Sequence, residues 1–198
     1  MRPTLPLILA ALTLAPAAIA QTAPPKAAER LNMPGPEAQA LAGRAGTWDV
    51  VATMWPAPGA APMVTRGLVA ERRMVGVFLQ EDLHPAPGSL GPAFTRIDYQ
   101  QFSRVEGRWQ YVSLDTRMPV GVMPAWSYDR GTGKTLTLQF EPIAFVGFGP
   151  TVEGRMLRSD LTITRLDADH ETKEQRFLLA DGEGRPWTAV RYEYTRRK

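Results

Sequence analysis

The stretch 46-GTWDVVATMWPAPG-59 decides the fold. Side chains two positions apart share one face of an extended chain, and one such face carries Trp48, Val50, Ala52 and Met54. The run ends at PAPG, where proline lacks the N–H group that a β-ladder needs. This pattern predicts a β-strand with one face turned to a core.

Short segments of the same kind follow to the C-terminus, separated by turns rich in Gly, Pro and Asp. We expect them at 63–73, 75–83, 93–103, 108–117, 125–129, 135–141, 155–165, 171–180 and 186–195. Tight turns between consecutive strands imply antiparallel neighbours. A meander of about eight to ten strands removes its free edges by closing. The sequence therefore predicts an all-β, antiparallel up-and-down barrel of about 8–10 strands, with a β-sandwich as the alternative.

The first twenty residues have the three parts of a cleavable export signal. Arg2 supplies a positive charge, 5–15 (LPLILAALTLA) an apolar stretch, and Ala18-Ile19-Ala20 the small residues that a signal peptidase reads. A transmembrane anchor, the alternative, needs about 20 apolar residues, and prolines interrupt this shorter run. We expect residues 1–20 to be a signal peptide and the mature protein to be exported, either periplasmic or secreted.

The region after the signal divides into a leader and a folded domain. Residues 21–33 are rich in Ala and Pro and predict an extended, flexible leader. Pro36-Glu37 predicts the start of a short helix, because proline and an acid suit the first helical turn. Residues 34–198 are expected to form a single barrel domain.

Composition narrows the chemistry that the domain can perform. The chain has no cysteine, which excludes disulfides, thiolate nucleophiles and Cys-bound metals. It has two histidines, too few for a three-histidine metal site. The net charge of +3 is a weak basis for binding nucleic acid, and no stretch after the signal is long and apolar enough to span a membrane. We expect no metal, no cofactor, no nucleic-acid partner and no membrane span.

The motif from Gly46 to Trp48 resembles the Gly-x-Trp of lipocalin-type barrels, which follows a short helix and opens the first strand. The resemblance implies that Gly46 and Trp48 are structural and that the indole plugs the closed end of the barrel. It also implies a basic side chain from the last strand over the indole, as a cation–π contact. Arg191 is our first choice, and Arg196 or Arg197 could fill the same place.

A wider set of blocks carries a second resemblance. The blocks are 33–37 (MPGPE), 46–50 (GTWDV), Tyr128-Asp129, 167–170 (DADH) and 192–197 (YEYTRR). Together they are similar to the bacterial family named domain of unknown function 1579, over residues 33–198. The resemblance implies a lipocalin-like barrel and brings no established activity.

Aromatic side chains supply the candidate ligand-binding residues. Two pairs, Trp109 with Tyr111 and Trp126 with Tyr128, each share a strand face, so that they could line a pocket. The candidate ligand-binding set is Met54, Tyr99, Trp109, Tyr111, Trp126, Tyr128 and Phe140. We expect this set to hold a small apolar or amphipathic molecule. Aromatic residues that simply fill the barrel are the alternative.

Two other functions stay open. A barrel enzyme would need a tyrosine and a carboxylate enclosed together for acid–base chemistry. The strand carboxylates are Glu71, Glu81, Asp98, Asp115 and Asp160. We expect them on exposed faces, paired with arginines across strands, and therefore lean away from an enzyme. An envelope interaction module would instead present the apolar loop at 142–154 to a partner.

Overall fold

The computed structural model describes residues 26–89, 91–118, 121–127, 134–144, 154–182 and 184–198. These residues form two short helices and eleven strands. The helices are α1 (Ala27–Asn32) and α2 (Pro36–Ala42). The strands are β1 (Gly46–Met54), β2 (Met63–Val75), β3 (Phe78–Pro85), β4 (Arg96–Ser103), β5 (Arg108–Asp115), β6 (Val122–Ser127), β7 (Thr135–Phe140), β8 (Ile143–Ala144), β9 (Met156–Arg165), β10 (His170–Leu179) and β11 (Trp187–Arg196).

The strands form one closed antiparallel barrel. Each strand from β1 to β6 pairs with the next, β7 pairs with β9, and β11 pairs with β1. Strand β10 pairs with both β9 and β11, which closes a ring of ten strands. The two-residue β8 lies beside β9. The predicted all-β, lipocalin-like barrel is confirmed, and the sandwich is excluded.

Helix α1 lies inside the segment that the sequence predicts as an extended leader. The Lys26 N–H donates to the Glu29 carboxylate at 2.7 Å, which caps the first turn. Arg104, in the turn after β4, donates from Nη1 to the carbonyl oxygens of Arg30 at 2.8 Å and Met33 at 3.2 Å. The end of the predicted leader is therefore helical and attached to the barrel. Its sequence AAERL contains good helix formers.

Helix α2 and Trp48 close one end of the barrel, which we call the closed end. The helix packs against β2, β3 and β4 and buries Leu41. Trp48 is 1% exposed and donates from Nε1 to the Arg44 carbonyl oxygen at 3.1 Å. The guanidinium groups of Arg72 and Arg196 lie 4.7 and 4.3 Å from the centre of its ring. The indole therefore takes the plugging position that the Gly-x-Trp resemblance implies.

Arg196, and not our first choice Arg191, is the last-strand cation on Trp48. Arg191 lies on the outer face of β11 and pairs with Glu174, with Nη2 2.5 Å from Oε2. Successive side chains of a strand point to opposite faces. Tyr192 and Tyr194 point inward, so that Arg196 shares their face and Arg191 does not.

Position 46 favours glycine for two reasons, the conformation of its backbone and the nearness of Arg196. Its φ is +125°, and a Cβ atom there would lie 2.9 Å from Nη1 of Arg196. We expect Gly46→Ala to lower the free energy of unfolding by more than about 1 kcal/mol, measured by urea denaturation. Gly43→Ala is the matched control, because its φ is −64° and the nearest atom to a new Cβ lies at 3.5 Å. Equal stability of the two variants would contradict this account.

Candidate functional site

The inside of the barrel holds a continuous chain of ion pairs, which we call the ionic chain. Positive and negative side chains alternate along it, and every member is buried. In order from the closed end, the chain is Arg44, Glu171, Arg72, Glu81, Lys173, Asp98 and Arg96.

At the closed end the chain begins with a two-pronged ion pair. Arg44, two residues beyond α2, donates from Nε and Nη2 to the two carboxylate oxygens of Glu171, each at 2.7 Å. Its third nitrogen, Nη1, donates to Oε1 of Gln100 at 2.8 Å. All three guanidinium nitrogens of Arg44 are therefore bonded, which anchors the end of α2 to strands β4 and β10.

The middle of the chain centres on Glu81. Arg72 bridges two carboxylates, from Nη2 to Glu171 at 2.9 Å and from Nε to Glu81 at 2.6 Å. The other oxygen of Glu81 accepts from Nζ of Lys173 at 2.8 Å and from the Tyr194 hydroxyl at 3.0 Å. Nη1 of Arg72 is buried without a hydrogen-bond partner among the described residues. One carboxylate thus joins strands β2, β3, β10 and β11.

At the opposite end the chain finishes on Arg96. Lys173 Nζ lies 3.3 Å from Oδ2 of Asp98, and Arg96 donates from Nε to Oδ1 of the same carboxylate at 3.0 Å. Arg96 also donates from Nε to Oγ of Ser113 at 3.1 Å and from Nη2 to the Tyr111 hydroxyl at 2.9 Å. No hydrogen bond among the described residues uses Nη1 of Arg96.

Two acids of the chain, Glu81 and Glu171, are held ionised. Burial by itself would raise the pKa of Glu81, but Lys173 and Arg72 outweigh burial and lower its pKa far below the ordinary value. Burial likewise opposes the shift of Glu171, and Arg44 and Arg72 lower its pKa to about 2. Both carboxylates therefore carry a negative charge at neutral pH.

The two tyrosines that touch the chain are held neutral. Burial is the main cause that raises the pKa of Tyr111 and Tyr194 well above the ordinary value, and the charge of Glu81 adds to it. Their hydroxyls therefore act as hydrogen-bonding groups and supply no negative charge to the interior.

A small cavity adjoins the Arg96 end of the chain. Its volume is about 40 Å³, and one water molecule needs on the order of 10–15 Å³ by the same measure. It therefore has room for about three or four water molecules. Polar and apolar side chains line the cavity together. The polar ones include Arg96, Ser113 and Gln175, and the apolar ones include Met54, Met118, Met123, Phe140, Phe177 and Ala189.

The cavity has one further ion pair in its wall. Arg117 donates to both carboxylate oxygens of Asp115, from Nε at 2.9 Å and from Nη2 at 2.6 Å. Burial opposes the shift, but these bonds lower the pKa of Asp115. The Arg117 guanidinium also lies 3.8 Å from the centre of the Phe94 ring. The pair is neutral as a unit and borders the cavity.

Four of the candidate ligand-binding residues lie inside the barrel. Met54 and Phe140 line the cavity. Trp109 and Tyr111 are buried in the adjoining core, where the Tyr111 and Phe140 rings meet edge to face with centroids 5.8 Å apart. The structure thus brings two of the predicted residues to the cavity and uses two others as packing beside it.

The other three candidates do not meet at the cavity. Tyr99 is half-buried on the outer face of β4, because Arg96, Asp98 and Gln100 take its inner face. Trp126 is on the outer face of β6, where the Arg108 guanidinium lies 5.3 Å from its ring centre. Both predictions of an inward position are wrong. Tyr128 lies outside the described residues, and so do residues 145–153 of the loop considered for a partner.

The prediction of exposed strand carboxylates is also wrong for three of the five. Glu81, Asp98 and Asp115 are buried inside the barrel, whereas Glu71 and Asp160 are on its outer face. Four further strand residues belong to the ionic chain and were not predicted as site residues from the sequence. They are Arg72, Arg96, Glu171 and Lys173. One signal was available, since opposite charges recur two residues apart in 96-RID-98 and 171-ETK-173.

The two histidines lie away from the ionic chain. His170 is exposed, with Nδ1 2.9 Å from each carboxylate oxygen of Asp167. The His84 ring bonds to the Pro85 carbonyl oxygen at 2.9 Å. Within the described ranges, no group of three His, Cys, Asp or Glu side chains is placed to hold a metal ion. Nor does any helix in those ranges have the length and apolar character needed to cross a membrane.

Comparison with known proteins adds support for the fold. The chain matches no protein-family model and no curated protein. It is similar to a solved structure, Rv2717c from M. tuberculosis, with a TM-score of 0.55 and 18% sequence identity. The likeness covers 83% of this chain and 99% of that chain. At this level of identity the likeness shows a shared fold and nothing further. By its fold this protein is a lipocalin-like barrel, and its interior contains the ionic chain.

Proposed function

We propose that this protein is an exported member of the family named domain of unknown function 1579 that binds a small amphipathic molecule inside its barrel. The observation that carries the proposal is the cavity next to Arg96, which both polar and apolar side chains line. Small-molecule sites in proteins are mostly apolar and have a few placed polar groups. Export is tested by intact mass of the secreted or periplasmic protein, which should begin at Gln21.

The cavity sets limits on its ligand. At about 40 Å³ it accommodates only the head and first carbons of an amphipathic molecule without movement of its walls. Three methionines, Met54, Met118 and Met123, lie in those walls. Methionine is unbranched and adapts to irregular shapes, so that a short alkyl chain can be received by rotation of these side chains.

The alternative of an acid–base enzyme finds less support. The structure does place a tyrosine against an enclosed carboxylate, Tyr194 beside Glu81 at 3.0 Å. Neither residue lines the cavity. A general acid or base works best with a pKa near the working pH, whereas the pKa of Glu81 is lowered and that of Tyr194 is raised. This pair therefore suits a structural role.

Binding can be located with methionine methyl groups as probes. We expect 1-hexanol, a neutral amphipathic probe, to shift the ¹³C-methyl NMR signals of Met54, Met118 and Met123 in a saturable way, because all three line the cavity. The exposed Met33 and Met156 serve as internal controls and should not shift.

A cavity-filling variant sharpens this experiment. Ala189 lines the cavity and is 1% exposed, so that Ala189→Phe should abolish the shifts by occupying the space. Ala42→Phe is the matched variant, on an exposed position of α2 at the closed end, and should leave them unchanged. Shifts of equal size at Met33, or shifts that survive in Ala189→Phe, would contradict binding in this cavity.

A further inference from the structure

The wall of the cavity is built almost entirely from strands. All but two of the described residues that line it belong to the barrel strands. The two exceptions, Arg117 and Met118, lie in the short segment that follows β5. Ladder hydrogen bonds fix the backbone of a strand, whereas a connecting segment moves more readily. Arg117 and Met118 therefore form the most movable part of the described wall.

Entry of a ligand requires part of this wall to move. The cavity accommodates only the head and first carbons of an amphipathic molecule while its walls are fixed. Arg117 reaches from the cavity to the surface, since 29% of its side chain is exposed. Rotation of Arg117 away from the barrel therefore opens a path from solvent, and it draws the adjacent Met118 out of the wall.

Two contacts hold the Arg117 side chain in the closed position. Its guanidinium donates to both carboxylate oxygens of Asp115, from Nε at 2.9 Å and from Nη2 at 2.6 Å. The same group lies 3.8 Å from the centre of the Phe94 ring, which is a cation–π distance. Asp115 is the last residue of β5, and its side chain is 6% exposed. The carboxylate is therefore a fixed point to which the more exposed arginine is attached.

The backbone of the segment is attached at the same place. The Arg117 N–H donates to Oδ1 of Asp115 at 2.9 Å, and the Met118 N–H donates to the Asp115 carbonyl oxygen at 2.9 Å. The Thr116 N–H donates to the Thr95 carbonyl oxygen at 3.0 Å. Asp115 thus binds both the side chain and the backbone of Arg117, so that one carboxylate holds the whole segment closed.

We infer that residues 116–118 form a gate to the cavity and that Arg117 is its latch, which opens when Arg117 leaves Asp115 and Phe94. This inference rests on the proposed function and names the regulation of its site. Both contacts of the latch are made within the protein, so that they form whether the cavity is empty or filled. The latch therefore sets how fast a ligand enters and leaves, and it affects the affinity much less.

The test measures rates as well as affinity. 1-Hexanol is titrated into the full-length mature protein labelled at its methionine methyl carbons, and NMR line shapes and relaxation dispersion of Met54 and Met123 give the association and dissociation rates. Arg117→Met keeps an unbranched side chain and removes both contacts of the latch. We expect it to raise both rates by about tenfold, the effect of losing a partly exposed charge-assisted hydrogen bond.

Two further variants assign the effect to the latch. Asp115→Asn removes the charge on the other side of the ion pair and should also raise both rates. The double variant should match Arg117→Met, because the same contact is lost only once. Arg155→Met is the matched control, since Arg155 forms an ion pair with Asp181 at the same end of the barrel and does not line the cavity. It should leave both rates unchanged.

The possible outcomes separate the gate from the proposed function. Rates that stay unchanged in Arg117→Met, or that rise equally in Arg155→Met, overturn the gate and leave the binding cavity in place. Faster dissociation without faster association makes Arg117 a ligand contact and also overturns the latch. If Arg117→Met does not fold, the rates of Asp115→Asn decide between these results. Absence of saturable shifts with 1-hexanol in the unchanged protein overturns the proposed function, and the gate with it.

Discussion

Replacing Glu81 with alanine is expected to lower the free energy of unfolding by about 3–5 kcal/mol. The carboxylate accepts hydrogen bonds from Arg72, Lys173 and Tyr194, and its removal leaves two buried cations short of a partner. Breaking a buried ion pair costs more than the pair contributes, because the remaining charge stays out of water. Urea denaturation monitored by tryptophan fluorescence measures the effect.

Glu71→Ala is the matched control for this prediction. Glu71 is an exposed residue on β2, directly before Arg72, and it points to the outer face. Substitutions at such positions change stability by about 0.5 kcal/mol or less. If Glu81→Ala and Glu71→Ala had similar stabilities, the ionic chain would not be a stabilising part of the interior.

Acid is expected to destabilise the protein through the same chain. The pKa of Glu171 is about 2 in the folded protein, against an ordinary value of 4.5. A depressed pKa contributes stability that is fully present above the unfolded value and is lost as the pH falls toward the folded value. For Glu171 the loss amounts to about 3 kcal/mol between pH 4.5 and pH 2. Glu81 acts in the same direction.

The pH dependence is measured as the free energy of unfolding at intervals from pH 7 to pH 2. The Glu171→Gln variant cannot lose a charge at this position, so that its curve should be flatter below pH 4.5. Glu193→Gln, on the exposed face of β11, should follow the unchanged protein. A curve for Glu171→Gln as steep as that of the unchanged protein would show that this carboxylate is not the acid-sensitive group.

The fold could be predicted from the sequence because its signals are local. Turn residues end each strand, and the hairpin predicted between 93–103 and 108–117 is present as β4 and β5. Alternation predicts Trp48, Val50 and Ala52 on one buried face, and the structure buries all three. These patterns need only neighbouring residues. Short connections make consecutive strands pair, and the pairing of β11 with β1 closes the ring.

The interior could not be predicted from those signals. In β4 the alternation rule turns the apolar Ile97 and Tyr99 inward, whereas the structure buries Arg96 and Asp98 instead. The rule assumes that charge stays outside. It fails here because the partners come from distant strands, as with Arg72 and Glu171, which are 99 residues apart. A single strand does not show that its charges will be neutralised.

The ionic chain also bears on how the strands find their alignment during folding. Side chains alternate, so that a slip of β10 by one residue against its neighbours would expel Glu171 and Lys173 and bring in Thr172 and Glu174. Arg44 and Arg72 would then lose Glu171 and remain enclosed. A misaligned apolar face can still find apolar neighbours, whereas a misaligned charge inside the barrel remains unpaired. The charged interior therefore disfavours a one-residue slip of β10 more strongly than an apolar interior would.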